Sequence, residues 1–216
     1  LVGGHESFGR TVSFVDDIDM DGEVDLVVGS PSETTAAGGV GAVQLFLGPL
    51  SALDSTSVPF AEIAASSGGN FGGLVADAGT LGTDTRYLLI QGSIKTGDTP
   101  GLYFYTVYSE GDGEYLSLSF DIAGAGSGDE FGASVITGRD LDGDGSEDLI
   151  VGAPSAVAGE TEPGAAYIFF TPFRGAVDVL DADMVINGDF TNDEFGTAMS
   201  AIDDWDGDGN VDIIVS

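Results

Sequence analysis

A repeat of about sixty residues constrains the fold of this chain more than any other feature of the sequence. Phe-Gly pairs begin at residues 8, 71, 131 and 195, so successive repeats are separated by 63, 60 and 64 residues. Nine residues after each Phe comes a loop, which in three of the four repeats reads Asp-x-Asp-x-Asp-Gly-x-x-Asp and leads into an apolar run. Because one such unit cannot bury its apolar faces alone, neighbouring repeats are expected to stack against one another.

Within each repeat the sequence predicts short β-strands joined by turns, and 35 glycines are available for those turns. The run 24–29 is mostly apolar and too short for a helix, which predicts a strand buried on both faces. No segment has the period of an amphipathic helix, and 52–53 offers at most one helical turn. The predicted strands of the first repeat are 11–15, 24–29, 40–47 and 58–65. Later in the chain, 165–170 corresponds to 40–47, and both 115–123 and 184–187 correspond to 58–65.

Four strands in each repeat are typical of a propeller blade. The predicted fold class is therefore all-β, a β-propeller of which this chain supplies about three and a half four-stranded blades. We expect one propeller region over residues 1–216, and the Phe of each Phe-Gly pair is either a wedge between neighbouring sheets or an ordinary core residue. The predicted repeats are approximately 8–70, 71–130, 131–194 and an incomplete 195–216.

The acidic loops have the chemistry of a site for a hard cation. Carboxylates stand at positions 1, 3, 5 and 9 of the loop 17–25, and Gly22 at position 6 permits a sharp turn that brings alternate side chains together. Calcium accepts six to eight oxygen ligands in irregular geometry, and a main-chain carbonyl at position 7 would complete the inner set. Since the loops 140–148 and 204–212 repeat the pattern, three calcium sites are predicted.

The alternatives to calcium explain these loops less well. An Asp-Gly turn without metal requires one Asp, whereas four crowded carboxylates repel one another unless a cation neutralises them. Magnesium gives up its water reluctantly, and zinc prefers His and Cys, which are nearly absent. Position 12 holds Val where an EF-hand has Glu, so a strand–loop–strand site is predicted in which the ninth-position Asp replaces that Glu. The second repeat keeps only Asp84 in its loop 80–88 and is expected to fold without metal.

Charge limits the partners of this chain. With 37 acidic and 5 basic residues its formal net charge is −32, so we expect no nucleic-acid partner. No apolar segment is long enough for a transmembrane helix, so we expect no membrane insertion. Catalysis has little support, because the chain has one histidine, His5, and because the adjacent acids Asp129-Glu130 and Asp193-Glu194 are better suited to loop solvation than to converging on one substrate.

The order of these motifs resembles the FG-GAP repeat of the integrin-α-like propeller family. The third repeat carries all of it, from Phe131-Gly132 through the acidic loop to Gly152-Ala153-Pro154, whereas the first ends in Gly29-Ser30-Pro31. The resemblance implies a seven-bladed ring, as in integrin α subunits, with calcium ions that brace loops on one face. It carries the ligand positions, including the main-chain carbonyl at position 7, onto Asp17, Asp19, Asp21, Glu23 and Asp25, onto Asp140, Asp142, Asp144, Ser146 and Asp148, and onto Asp204, Asp206, Asp208, Asn210 and Asp212.

The resemblance also implies a function and a location. It implies a non-catalytic, calcium-binding module for extracellular adhesion or for binding a protein or glycan, at the cell surface or in a secreted protein. Two alternatives stay open, namely a propeller domain of a secreted polysaccharide-acting enzyme and a purely structural unit that assembles with calcium. Because an open half-ring would expose sheet edges, we expect the rest of the same chain, or a second chain, to close it.

Overall fold

The structure, a computed structural model, describes residues 7–36, 38–54, 57–66, 69–93, 99–110, 113–126, 128–157, 161–173 and 177–216. His5, considered above for catalysis, lies outside the described residues. Of the helices in the described part of the chain, none has the length and apolar character needed to cross a membrane. The strands are β1 (Thr11–Asp16), β2 (Val24–Thr34), β3 (Val40–Phe46), β4 (Ala61–Ala64), β5 (Leu74–Gly79), β6 (Tyr87–Gly92), β7 (Gly101–Glu110), β8 (Gly113–Ala123), β9 (Ser134–Arg139), β10 (Asp148–Ala153), β11 (Ala165–Phe169), β12 (Met184–Asn187), β13 (Met199–Ile202) and β14 (Asp212–Val215).

The strands form three four-stranded sheets and one two-stranded sheet, in the orders β1-β2-β3-β4, β5-β6-β7-β8, β9-β10-β11-β12 and β13-β14. Within each sheet, every strand pairs with its neighbours in the chain, which is the meander expected of a propeller blade. Pairing is antiparallel in the first, third and fourth sheets, where Val27, for example, lies opposite Ser13 and Leu45. The predicted fold class, an all-β propeller with about three and a half blades in this chain, is confirmed.

The predicted strands agree with the observed ones except at some boundaries. The second strand continues past residue 29 to Thr34, because Ser30 still pairs with Ala42 and, after an irregularity, Thr34 pairs with Val40. One of the two 3-10 helices, Leu50–Ala52, overlaps the single turn predicted there. The other, Val179–Asp181, was missed, although Asp178 and Asp181 cap it reciprocally and acidic residues three apart are a recognisable signal for such a cap.

Side chains from adjacent repeats share each core, as the stacking of repeats predicts. The contacts divide the chain into two compact units, one containing β1–β4 and the other β9–β14, with β5–β8 contributing residues to both. In the first unit Val27 and Val43 of the first sheet cluster with Leu88 of the second. In the second unit Ile150 of the third sheet clusters with Met199 of the fourth. The apolar run of β10 is buried along its whole length. In the run 24–29, for which burial on both faces was predicted, Val27 and Val28 are buried, but Leu26 is half-buried and Val24 is exposed.

Two of the Phe-Gly pairs, at 71 and 195, join one repeat to the next. Phe71 is fully buried in the shared core of the first unit, and its main chain forms a parallel bridge with Gly41 of β3. Phe195 forms the equivalent bridge with Gly164. Burial of Phe71 in this core fits both interpretations, a wedge and an ordinary core residue, so the wedge stays a prediction. The receiving glycine was missed: a Cβ on Gly41, whose φ is +113°, would lie 2.5 Å from the Phe71 nitrogen.

Candidate metal centres in the acidic loops

Each acidic loop connects the first strand of a sheet to the second. The first loop (17–25) links β1 to β2, the third loop (140–148) links β9 to β10, and the fourth loop (204–212) links β13 to β14. The strands are paired up to the ends of each loop, since Asp16 lies opposite Val24 and Ile202 lies opposite Asp212. The hairpins therefore hold both ends of each loop in place, in the predicted strand–loop–strand arrangement.

Two left-handed positions are common to all three loops, and the first loop has a third at Asp17, whose φ is +41°. Position 6 is Gly with φ between +92° and +94° in all three loops, where the sequence predicts a sharp turn. Position 4 is also left-handed, which was not predicted, although Gly143 and Gly207 at that position were a visible signal. In the first loop the same place is taken by Met20 at φ +66°. Because side chains are disfavoured in this region, Met20 adopts a conformation that costs it free energy.

Three carboxylates converge in each of the three loops. Within each group, one oxygen from each residue lies within 4.8 Å of the others. In the first loop the group comes from positions 1, 3 and 5, and in the third and fourth loops it comes from positions 1, 3 and 9. The predicted carboxylate ligands outside these groups are Asp25, Asp144 and Asp208. The structure therefore brings together most of the predicted carboxylates, but not the same three in every loop.

The ninth-position Asp holds its loop closed. Asp25 and Asp148 are 0% and 1% exposed, and each accepts two main-chain N–H groups. For Asp148 these come from Leu141 at 2.8 Å, inside the loop, and from Thr171 at 2.9 Å, beyond β11. In the fourth loop Asp212 accepts the N–H of position 2 at 2.6 Å. Each carboxylate oxygen has two lone pairs, so these hydrogen bonds leave acceptor capacity for a cation.

Hydrogen bonds within the loops orient the other carboxylates. Asp140 accepts the N–H groups of positions 4 and 6 at 2.7 and 2.9 Å, and Asp204 accepts the equivalent pair at 2.6 and 3.0 Å. The position-5 Asp accepts the N–H of position 7 in every loop, at 2.7–2.8 Å. The role of the position-7 carbonyls, those of Glu23, Ser146 and Asn210, stays a prediction.

The first loop contains an oxygen that no protein group satisfies. Oδ1 of Asp17 is buried and has no hydrogen-bond partner, which is costly for a carboxylate. Burial, together with the charges of Asp21 and Asp17, raises the pKa of Asp19, and burial raises the pKa of Asp25 and Asp148. A bound divalent cation would give the Asp17 oxygen a partner and would offset the repulsion among the carboxylates. Because the converging side chains are all carboxylates, they suit a hard cation such as calcium.

The second loop (80–88) is held together by hydrogen bonds of a hydroxyl group rather than by carboxylates. No group of three carboxylates was found there among the described residues. Instead, the hydroxyl of Thr83 donates to the carbonyls of Thr80 at 2.8 Å and Thr85 at 3.1 Å, while Leu81 is almost fully buried. The loop is thus held together by contacts that require no metal.

The adjacent acids outside the loops act as acceptors in turns. Asp129 is buried and accepts the N–H groups of Gly126 at 2.8 Å and Phe131 at 3.1 Å. Asp193 accepts the N–H groups of Asp189 and Phe190 at 3.1 and 2.8 Å. The sequence interpretation of loop solvation was therefore incomplete, because these carboxylates fold the turns that precede the Phe-Gly pairs.

Known proteins share these repeats. The family described as FG-GAP repeat matches residues 8–46 and 131–169. Integrin alpha-4 of Xenopus laevis is 31% identical over 150 residues, which are 68% of this chain and 14% of that protein. Integrin alpha-PS2 of Drosophila melanogaster is 33% identical over 101 residues, 44% of this chain and 7% of that protein. The chain thus matches a small part of either relative, and it belongs to the integrin-α-like family of FG-GAP repeat proteins.

Proposed function

We propose that this chain is a non-catalytic β-propeller module that binds three structural calcium ions. The observation that carries the proposal is the convergence of carboxylates in three equivalent loops, together with the unsatisfied buried oxygen of Asp17. The carboxylates at positions 1, 3, 5 and 9 and the carbonyl at position 7 of the first, third and fourth loops would supply the ligands. Calcium would offset the repulsion within each loop and thereby tighten the hairpin that carries it.

We also propose that the module acts outside the cell, in adhesion or in binding a protein or glycan. Two of its relatives are integrin α proteins, and the acidic surface disfavours nucleic acid as a partner. Extracellular calcium modules commonly bind with dissociation constants of about 10⁻⁴–10⁻³ M, which suits sites that are filled in extracellular fluid.

A complete ring requires more sheets than this chain supplies. We propose that the repeats 8–70, 71–130, 131–194 and 195–216 form one region of a seven-bladed propeller, closed by the rest of the same chain or by a second chain. Position 2 of the acidic loops supports this proposal. Ile18 is buried in the core that the first and second sheets share, and Leu141 packs into the core between the third and fourth sheets. Trp205 at the same position is 81% exposed, as expected if its covering sheet is still to be added.

The test is to count the bound ions and to identify the loops that hold them. Calorimetric titration of calcium into the metal-free chain should give three sites, and Asp142→Asn and Asp206→Asn should each remove one. Asp84→Asn, which removes the lone acid of the second loop, is the matched control and should leave three. At a calcium concentration 100 times the dissociation constant, each independent site adds about 2.7 kcal/mol to the free energy of unfolding, so EDTA should lower the melting temperature. A chain that binds no calcium, or that binds it in the second loop, would refute the proposal.

A further inference from the structure

Glu147, at position 8 of the third loop, reaches the second loop. Its Oε2 accepts the main-chain N–H of Thr80 at 2.7 Å and the Thr80 hydroxyl at 3.2 Å. The carboxylate lies against Gly79, whose φ is +69°; a Cβ there would stand 2.9 Å from Glu147 Cδ and closer still to Oε2. Because residue 79 is glycine, there is room beside it for the carboxylate of Glu147, which belongs to the next repeat.

This glutamate follows a loop that has lost all but one of its own acids. Position 8 is Val24 in the first loop and Val211 in the fourth. Only the third loop has Glu there, and it follows the one repeat whose loop has lost its acidic pattern. Thr80 stands where the other loops have their first Asp. The third repeat thus supplies, from outside, a carboxylate to the start of a loop that has none of its own at that place.

Glu147 is also tied to the carboxylate cluster of the third loop. Its main-chain carbonyl accepts the hydroxyl of Thr171 at 2.7 Å. The next residue, Asp148, accepts the N–H of the same Thr171 at 2.9 Å and belongs to the converging group with Asp140 and Asp142. A movement of Asp148 that opened the cluster would therefore also shift Glu147, the residue that holds the second loop.

We propose that a cation in the third loop orders the metal-free second loop, through Glu147. This inference rests on the proposed function, because it requires a cation at 140–148. Without the cation, repulsion among Asp140, Asp142 and Asp148 loosens the third loop, and the acceptor that Glu147 presents to Thr80 is lost or displaced. With the cation bound, the acceptor is fixed and the second loop is held at both the N–H and the hydroxyl of Thr80.

Hydrogen exchange measured by mass spectrometry on the full chain tests this coupling. In the wild type, saturating calcium should slow amide exchange in a peptide covering 80–88 by about tenfold relative to EDTA, since a hydrogen bond to a charged group is regained. In Glu147→Ala, calcium should no longer slow amide exchange in 80–88. It should still slow exchange in 140–148, where the cation binds. Glu147→Gln, which keeps a neutral acceptor, should give an intermediate effect. Glu162→Ala removes an exposed glutamate of the same repeat and should behave as wild type.

Calcium binding is measured separately in the same variants by calorimetry. If calcium binds to wild type but exchange in 80–88 does not change, the coupling is refuted and the proposed function stands. If Glu147→Ala retains the wild-type response in 80–88, the role of Glu147 is refuted. If no calcium binds to the third loop, both the coupling and the proposed function fail.

Discussion

The buried hydrogen bonds of Asp148 should make this carboxylate necessary for stability even without calcium. Its two oxygens accept the N–H groups of Leu141 and Thr171, and the side chain is almost completely buried. In Asp148→Asn one oxygen remains an acceptor, but the amide NH₂ faces the second N–H group, so two donors meet. The substitution preserves shape and isolates this change in hydrogen bonding.

The expected cost follows from these two hydrogen bonds. A buried N–H group left without an acceptor costs about 1–3 kcal/mol, and exchanging a charged acceptor for a neutral one costs about 1 kcal/mol more. Burial raises the pKa of Asp148, so removing the charge returns part of this energy. We expect Asp148→Asn to lower the free energy of unfolding by about 2 kcal/mol in EDTA.

Urea unfolding in EDTA measures this loss apart from any effect on calcium binding. The matched control is Asp144→Asn, because Asp144 is exposed and accepts the N–H of Ser146 at 2.7 Å, a bond that Asn can keep. This control should change stability by less than about 0.5 kcal/mol. Equal losses in the two variants, or a more stable Asp148→Asn, would show that the carboxylate does not clamp the loop.

Three further predictions concern the backbone, the core and the titration of a buried tyrosine. Met20→Gly should raise the free energy of unfolding by about 0.5–1 kcal/mol because it relieves the left-handed conformation of a side-chain-bearing residue; an unchanged or lower urea midpoint would contradict this. Phe71→Ala should cost about 3–5 kcal/mol by leaving a cavity in the shared core, whereas Phe190→Ala, at an exposed position, should cost little in the same urea assay; similar losses would argue against the wedge role. Burial, with Tyr103 and Asp121 nearby, raises the pKa of Tyr105 from 10.0 to about 12. The contribution of the neutral, buried Tyr105 to the free energy of unfolding is therefore fully present below pH 10 and is lost as pH rises through 12. Ultraviolet titration against Tyr105→Phe should detect the late ionisation, and a wild-type curve with every tyrosine ionising near pH 10 would refute it.

Much of the local structure was predictable because its signals are short in sequence. The alternation and length of the apolar runs give β1, β3 and β11 nearly to the residue, and the Phe-Gly pairs give the phase of the repeat. The loops, their position between the first two strands and the turn at position 6 also follow from residues within nine places of one another. These features are set by backbone preference and hydrophobic pattern, which neighbouring residues largely determine.

The sequence by itself thus determined an all-β repeat fold and the positions of three acidic loops. The tertiary structure decided which carboxylates meet in each loop, that Asp148 takes its second N–H group from Thr171, and that Glu147 bonds to Thr80, 67 residues earlier. It also decided that Gly41 receives the main chain of Phe71. Apart from the carboxylate groups, which lie within single loops, these contacts join segments far apart in sequence, and hydrophobic patterning does not mark them. The Glu147–Thr80 bond and the Gly41–Phe71 bridge exist because stacking of the repeats places one sheet beside the next, whereas the Asp148–Thr171 bond exists because β10 and β11 pair within one sheet.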